Sequence, residues 1–391
     1  MIERTLFDAD HAAFRDSFHR FVEKEIAPYH EAWEEQGCVD RAVWNKAGAN
    51  GFLCMTMPEQ YGGAGADKLY SVVQMEEIAK AGYAGLLGLT LHSEIVAKYI
   101  LNYGTEEQKL NYLPKMASAE MVGAIAMSEP GAGSDLQGIK SAAIRQGDAA
   151  GEHYLLNGSK TFITNGWHAD IVVVVAKTNP AAGAKGTSLL LVERGMPGFE
   201  KGKRLKKLGM KAQDTSELFF NNVRVPLENL LGGQPQENQG FICLMQELQW
   251  ERMQLAISGV AAAQAAIDWT VAYVKERKVF GQAVSTYQNT RYTLAELQTQ
   301  VQVARVFVDK CIEELMLNRL DVATASMAKY WCSDLQCKVM DECVQLFGGY
   351  GYMWEYPITR AYADARPQRI YGGTNEIMKE LISRSMGLNA K

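Results

Sequence analysis

The sequence predicts a mostly α-helical protein with a β domain in its middle, and three observations carry that reading. Apolar residues recur at helical spacing through roughly the first 120 residues. Between about 121 and 232 the pattern changes to short β-rich runs separated by Gly, Asn and Asp. From about 238 long helical patterns return and run almost to the end. A chain of 391 residues accommodates two or three modest domains, and the shifts place them at 1–120, 121–232 and 233–391.

In the first region Phe14, Phe18, Phe21 and Val22 alternate with charged residues at helical spacing. Pro58 and the run Gly62, Gly63, Ala64, Gly65 interrupt this with a loop, and helical spacing resumes near Tyr70. Thr105 with Gln108, just after Gly104, is a capping box that starts a helix. Pro114 is expected near a helix start or a turn. The strand-like runs of the middle region are 122–127, 154–157, 171–176, 188–192 and 218–225, which suit a small barrel or sandwich. No strand–GxGxxG–helix unit occurs, so a Rossmann domain is not expected. Helical patterns at 238–276, 287–316, 319–347 and 373–387 imply a helix bundle.

Charge and composition exclude several function classes. A net charge of -5 and a pI near 5.8 argue against nucleic acid as the main partner, because tracking phosphates needs a basic surface. No uninterrupted apolar run reaches the roughly 18 residues of a membrane span, so no stable membrane insertion is expected. The opening MIERTLFDAD is charged at once and lacks an apolar signal core. That predicts a cytoplasmic protein, or one of the mitochondrial matrix if the chain is a mature eukaryotic form. The seven cysteines include no CxxC pair, which favours free, mostly buried thiols over disulfides or a metal site.

Chemistry concentrates in a few blocks. Residues 345–376 read QLFGGYGYMWEYPITRAYADARPQRIYGGTNE, with glycine pairs at Gly348–Gly349 and Gly372–Gly373. The second pair runs into Thr374, a plausible N-cap, and then a helix; free N–H groups there suit a diphosphate or a polarised carbonyl. Turn chemistry alone explains such a pattern equally well. Residues 125–134 read IAMSEPGAGS, a strand leading into a glycine-rich loop, and either a plain connection or a ligand-facing one fits. In GSKTFITNG, residues 158–166, Phe162 alone would read as a core aromatic. In RKVFGQAVSTYQ, residues 277–288, a lone Arg277 would read as a solvated helix-end charge. On the helix that begins near 238, Leu244, Leu248, Glu251, Leu255, Ser258 and Ala262 share one face. A carboxylate in that stripe is costly unless paired or used, and the residues alone favour an ion pair with Arg252 or another arginine.

Taken together and in order, these blocks resemble the acyl-CoA dehydrogenase family over nearly the whole chain. The resemblance implies that family's fold: an N-terminal helical domain, a central β-barrel and a C-terminal four-helix bundle. It implies an FAD site contacted by Ile125, Met127, Ser128, Gly133, Ser134, Phe162, Thr164, Gln345, Gly348, Gly349, Thr374, Asn375 and Glu376. Arg277 would pair with the cofactor diphosphate, with Phe280 packing and Gln288 bonding, from a neighbouring subunit. Ser134, Gln249, Arg252, Gly372 and Gly373 would bind substrate. The block 207–226, KLGMKAQDTSELFFNNVRVP, also matches the family and receives no chemical role.

One position decides the mechanism. Many members carry their base just before the last Gly-Thr, where this chain has Gly372. Members with glycine there place the base on the helix, in a Glu-Arg pair, and LQWERM matches with Glu251 and Arg252. The tail from about 301 is most similar to the long-chain subgroup. The resemblance therefore implies FAD-dependent α,β-desaturation of a medium- to long-chain acyl-CoA in fatty-acid β-oxidation. Glu251 is the expected base, the Gly372 amide polarises the thioester, an electron-transferring flavoprotein takes the electrons, and the assembly is a homotetramer. Alternatives are a branched-chain or carrier-protein-bound substrate, an oxygen-using oxidase, or a non-catalytic thioester-binding protein.

Overall fold

In the computed structural model, which describes residues 2–149 and 151–388, helix follows helix through the first region. Asp8 caps α1 (Ala9–Glu25) by accepting the Asp10 and His11 amides, and α1 buries Phe18, Phe21 and Val22. Then come α2 (His30–Gln36), α3 (Arg41–Ala49), α4 (Lys68–Ala81), α5 (Leu87–Leu91), α6 (Ala97–Tyr103) and α7 (Glu106–Ala117). A π-helical turn, His92–Val96, joins α5 to α6. The Thr105–Gln108 capping box starts α7 as its spacing implies. Pro114 departs from expectation and lies inside the last stretch of α7. The helix bond it forgoes would end on the carbonyl of Leu110, an exposed residue, so water can substitute there.

The middle region is one curled sheet of β1 (Gly123–Ala126), β2 (Ala142–Asp148), β3 (Gly151–Thr164), β4 (Ile171–Lys177), β5 (Thr187–Glu193), β6 (Phe199–Arg204) and β7 (Thr215–Pro226). β4, a buried Ile-Val-Val-Val-Val run, pairs antiparallel with β5 on one side. On its other side β1 runs parallel from Gly123↔Ile171 to Ala126↔Val174, and β2 meets its end at Lys177. β2, β3, β7 and β6 continue antiparallel. β3 is far longer than the four residues its sequence suggests, because two register shifts, at Leu156/Gly158 and Lys160/Ile163, carry it past its glycine.

The last region opens with α8 (Gly240–Glu276), followed by a two-residue hairpin of β8 (Lys278–Val279) and β9 (Gln282–Ala283). It ends with α9 (Gln288–Met316), α10 (Val322–Phe347), α11 (Pro357–Ala365) and α12 (Asn375–Ser385). α11, not read from sequence, begins with proline at a first-turn position where no N–H is needed. Met253, Ile257 and Val260 of α8 share a core with Cys332, Val339 and Cys343 of α10, and Val72 and Met75 of α4 join it. Segments 84–103 and 240–276 are long and apolar enough by composition to cross a membrane, and both are mostly buried within the protein. All seven cysteines are free thiols and only Cys337 is not fully buried. Glu76 of α4, wholly buried, accepts guanidinium hydrogen bonds from Arg4, Arg15 and Arg305, which ties the N-terminal segment and α9 to α4.

Candidate active site

The helical spacing that put Glu251 on an apolar stripe is realised in α8, and no ion pair answers its charge. Among the described residues no cation lies within 4 Å of its carboxylate, so the ion-pair alternative is not what the chain builds. Its one hydrogen bond comes from the fully buried Tyr99 of α6, whose hydroxyl donates to Oε1 at 3.1 Å. Burial pushes the Glu251 pKa up to about 7 and Glu247, one turn away, pushes the same way; the Tyr99 hydrogen bond and Arg252 oppose them. Arg252 is buried, and its Nε has no hydrogen-bond partner among the described residues.

The Gly372–Gly373 turn packs against this stripe. Both glycines have positive φ, 65° and 86°, and a Cβ on Gly372 would fall 2.5 Å from Leu255 Cδ1. Leu255 is one helical turn from Glu251 on the same face of α8, so the turn packs one helical turn away from the residue that carries the carboxylate. Among the described residues the amides of Gly372, Gly373 and Thr374 have no acceptor, while the Thr374 hydroxyl caps α12 at the Ile377 amide. Lys329, buried in α10, donates to the Gly373 carbonyl at 2.7 Å and to Asn375 Oδ1 at 2.9 Å. Its pKa falls to about 8 through burial and the nearby Arg252. Asn375 is also among the residues expected at the cofactor. Its side chain is buried and fully engaged by Lys329, Ser333, Asp334 and the Tyr330 carbonyl, so it holds the turn in place. Glu376 stays exposed at the start of α12.

A second surface is made by the loop after β1 and the bulged part of β3. Glu129 accepts the amides of Lys140 at 2.6 Å and Ser141 at 2.9 Å, and the ammonium of Lys160 at 2.9 Å. Lys160, with no exposed surface, also bonds the Met127 carbonyl, and burial lowers its pKa to about 8 against the pull of Glu129. The Thr161 amide donates to the Ser128 carbonyl. These bonds pin the loop to β3 and leave Gly133 and Ser134 exposed, with open space where a Cβ on Gly131 or Gly133 would go. Ile125, Met127, Ser128 and Thr164 are half-buried along the same strand ends, and the Ser128 and Thr164 hydroxyls have no partner among the described residues. Phe162 sits in the bulge with φ 60° and 71% of its surface exposed. A bulky residue at positive φ costs energy, and here it turns a large ring outward, where a planar ligand could stack.

The remaining expected cofactor residues gather elsewhere. Arg277, Gln345, Gly348 and Gly349 line one cavity of about 480 Å³, with the Arg277 guanidinium 5.5 Å from the Tyr350 ring centre. Phe280 forms the tip of the β8–β9 hairpin and is 98% exposed, and Gln288 is exposed at the start of α9. Glu251 and Arg277 lie on, and at the end of, one helix; 26 residues at 1.5 Å rise separate them by about 39 Å along its axis. The structure thus packs Gly372 on Leu255, one helical turn from Glu251, and separately gathers Arg277, Gln345, Gly348 and Gly349, but does not join the two sets. Gln249 lines a further cavity of about 390 Å³ with Phe241, Met245 and Gln246.

Tyr99, Lys329, Lys160 and Glu129 were not singled out from sequence, and Leu255 entered only as one member of the α8 stripe. Tyr99 had a signal: Tyr99 and Tyr103 share a spacing of four, as do Glu247 and Glu251, which is what two facing helices need to form two polar rungs.

Comparison with known proteins converges on one family. The models of the acyl-CoA dehydrogenase N-terminal, middle and C-terminal domains match residues 8–120, 124–223 and 238–387. The chain is 52% identical over 385 residues to the mitochondrial long-chain specific acyl-CoA dehydrogenase of Rattus norvegicus, covering 98% of this chain and 88% of that one. It superposes on the acyl-CoA dehydrogenase of Geobacillus kaustophilus with a TM-score of 0.95 at 47% identity, over 98% of this chain and 100% of the other. An acyl-CoA dehydrogenase from Bacillus anthracis complexed with FAD gives a TM-score of 0.89 at 31% identity, over 97% and 68% of the two chains.

Proposed function

The chain belongs to the acyl-CoA dehydrogenase family, and from that premise we propose that it desaturates a long-chain acyl-CoA to the trans-2-enoyl thioester, with Glu251 as the base. Acyl-CoA dehydrogenation is the family's activity; the chain length, base and partners are this reading's own. One observation carries it. A carboxylate with no ion-pair partner and a pKa near 7 stands one helical turn from the residue that packs on a glycine turn, whose amides have no acceptor among the described residues. That is a base poised near neutrality next to a donor for a developing enolate oxygen.

The residues fit FAD. Phe162 offers an exposed ring, Ser128 and Thr164 offer hydroxyls with no partner among the described residues, and the Gly131–Ser134 loop is open to a close backbone approach. When bound, FAD supplies the acceptor for the hydride that leaves the β-carbon. The protein does the rest. The Gly372 amide donates to the thioester carbonyl, which acidifies the α-proton; Glu251 takes that proton and holds it; the apolar stripe of α8 excludes water. The diphosphate would be met by Arg277, with Gln345, Gly348 and Gly349 beside it. Because that cluster lies so far along α8 from Glu251, it serves the cofactor of a neighbouring subunit in this reading, within a homotetramer. Electron-transferring flavoprotein is the onward acceptor, domain limits fall near 120 and 232, and a cytoplasmic or mitochondrial-matrix compartment belongs to the same reading.

The test is anaerobic flavin reduction by a panel of acyl-CoAs. Long straight chains should bleach the flavin fastest, and Glu251→Gln should slow the step by at least about 10²–10⁴-fold. A branched short-chain thioester as the best substrate would overturn the chain-length assignment. A fast Glu251→Gln enzyme would overturn the base.

A further inference from the structure

Tyr99 is fully buried on α6, and its hydroxyl bond to Glu251 Oε1 is the only hydrogen bond the carboxylate receives among the described residues. The contact is one rung of a longer ladder. One turn on, Tyr103 donates to Glu247 Oε1 at 2.8 Å. In the other direction Trp250 Nε1 and Gln254 Nε2 reach the carboxylate and carbonyl of Glu94 at 3.3 and 3.4 Å. Residue numbers rise on one helix as they fall on the other, so the rungs share one antiparallel register. The π turn His92–Val96 lies inside this ladder. One added residue rotates everything after it by roughly 100°, so the turn helps decide that Tyr99 and Tyr103 face α8.

We infer that Tyr99 is the positioning residue of the base: its hydroxyl fixes Oε1, leaves Oε2 as the free oxygen, and stabilises the ionised carboxylate inside an apolar wall. The inference rests on the reading of Glu251 as the base. Other charges near the carboxylate do not replace this bond. On α8, Glu247 opposes ionisation and Arg252 favours it from a distance without bonding. Tyr103 is committed to Glu247 and Gln246. Lys98 of α6 bonds the Thr56 carbonyl, and Lys68 of α4 lies over the Trp250 ring. Lys329 of α10 is held by Gly373 and Asn375, and the Gly372–Gly373 turn carries no charge. Tyr99 itself stays a neutral donor, since burial and the two nearby glutamates push its own pKa well above the usual tyrosine range.

The experiment is single-turnover flavin reduction by a saturating long-chain acyl-CoA, in the FAD-loaded enzyme, between about pH 5.5 and 9.5. Tyr99→Phe keeps the ring and removes the donor. Its rate profile should shift upward by about one pH unit, a loss of about fivefold at pH 7 that vanishes on the alkaline plateau. Tyr103→Phe should follow the wild type. Replacing Tyr99 by a ring-fluorinated tyrosine keeps the packing and strengthens the donor, so the midpoint should move down; this arm stands even if Tyr99→Phe folds poorly. An unmoved midpoint in both Tyr99 variants, with Glu251→Gln inactive, would show that Tyr99 only packs and would leave the base reading intact. An equal shift in Tyr103→Phe would trace the effect to helix displacement and overturn the proposal. An active Glu251→Gln enzyme would overturn the proposal and the base reading together.

Discussion

Gly372 and Leu255 leave no room between them: a Cβ at residue 372 would lie 2.5 Å from Leu255 Cδ1, and φ at that residue is +65°. A glutamate at this position, where many family members carry the base, would therefore meet both a steric and a backbone penalty. Moving the base of Glu251→Gln back by adding Gly372→Glu should fail to restore flavin reduction. Adding Leu255→Ala as a third change opens the space and should recover a measurable part of the rate. Gly372→Ala alone should cost about 1–3 kcal/mol in urea denaturation. A double variant that regains rate with Leu255 in place would show that this wall yields.

Arg277 is exposed beside Gly348 and Gly349, far along α8 from Glu251. Arg277→Ala should raise the Kd for FAD about tenfold or more, the scale of a charge-assisted hydrogen bond. Flavin reduction in the FAD-saturated variant should change far less. Hybrid assemblies that mix Arg277→Ala and Glu251→Gln subunits test whether the arginine serves a neighbour. Unchanged FAD affinity in the single variant would remove the diphosphate role.

The Arg4–Arg15–Arg305 cluster on Glu76 makes a stability prediction. Burial alone would raise the Glu76 pKa, but the three guanidinium groups overcome it and hold the value at about 2. A depressed carboxylate contributes stability above its ordinary pKa near 4.5, and that contribution is lost as pH falls through about 2. Glu76→Gln should cost about 3–5 kcal/mol at pH 7, because it strands buried guanidinium charge. The gap from the wild type should narrow as pH drops below about 4.5. Urea titrations at pH 7, 4 and 3 measure both; a gap that stays constant would mean that packing, not charge, sets the cost.

How much of this was legible in the sequence follows from how local each cause is. The Thr105–Gln108 box, the Thr374 cap and the apolar stripe of α8 depend on residues three or four apart, and periodicity reveals them. β3 was cut short because Gly158 reads as a turn, whereas the sheet absorbs it in a bulge; β6, FEKGKR, escaped because a charged edge strand has no apolar alternation. Glu251 was legible as an anomaly, but whether it was paired or free depended on Tyr99, 152 residues away. The side-chain partners of Asn375 were not readable, since Lys329, Ser333 and Asp334 reach it only through the docking of α12 on α10. The distance between Glu251 and Arg277 was implicit in one uninterrupted helix.

A base kept ready in an apolar wall should weaken the fold that holds it, and Glu251→Gln exposes this. The Glu251 pKa rises from an ordinary 4.5 to about 7, chiefly through burial. Below about pH 4.5 the carboxyl is protonated folded or unfolded and contributes nothing to pH dependence. Between about 4.5 and 7 the unfolded chain gives up its proton while the folded one keeps it, so stability falls as pH rises; above 7 the penalty is complete. Glutamine keeps the shape, can still accept the Tyr99 hydrogen bond through its carbonyl oxygen, and carries no charge. Glu251→Gln should therefore be more stable than the wild type at pH 8 by on the order of 1–3 kcal/mol, with the gain shrinking toward zero near pH 4. The same substitution should abolish most of the flavin reduction. Paired melting curves and stopped-flow traces across this range measure both effects on one protein. Lost activity without an alkaline stability gain would mean that the carboxylate is better solvated than its surroundings imply. A stability gain with activity retained would mark Glu251 as a half-buried charge that the reaction does not use.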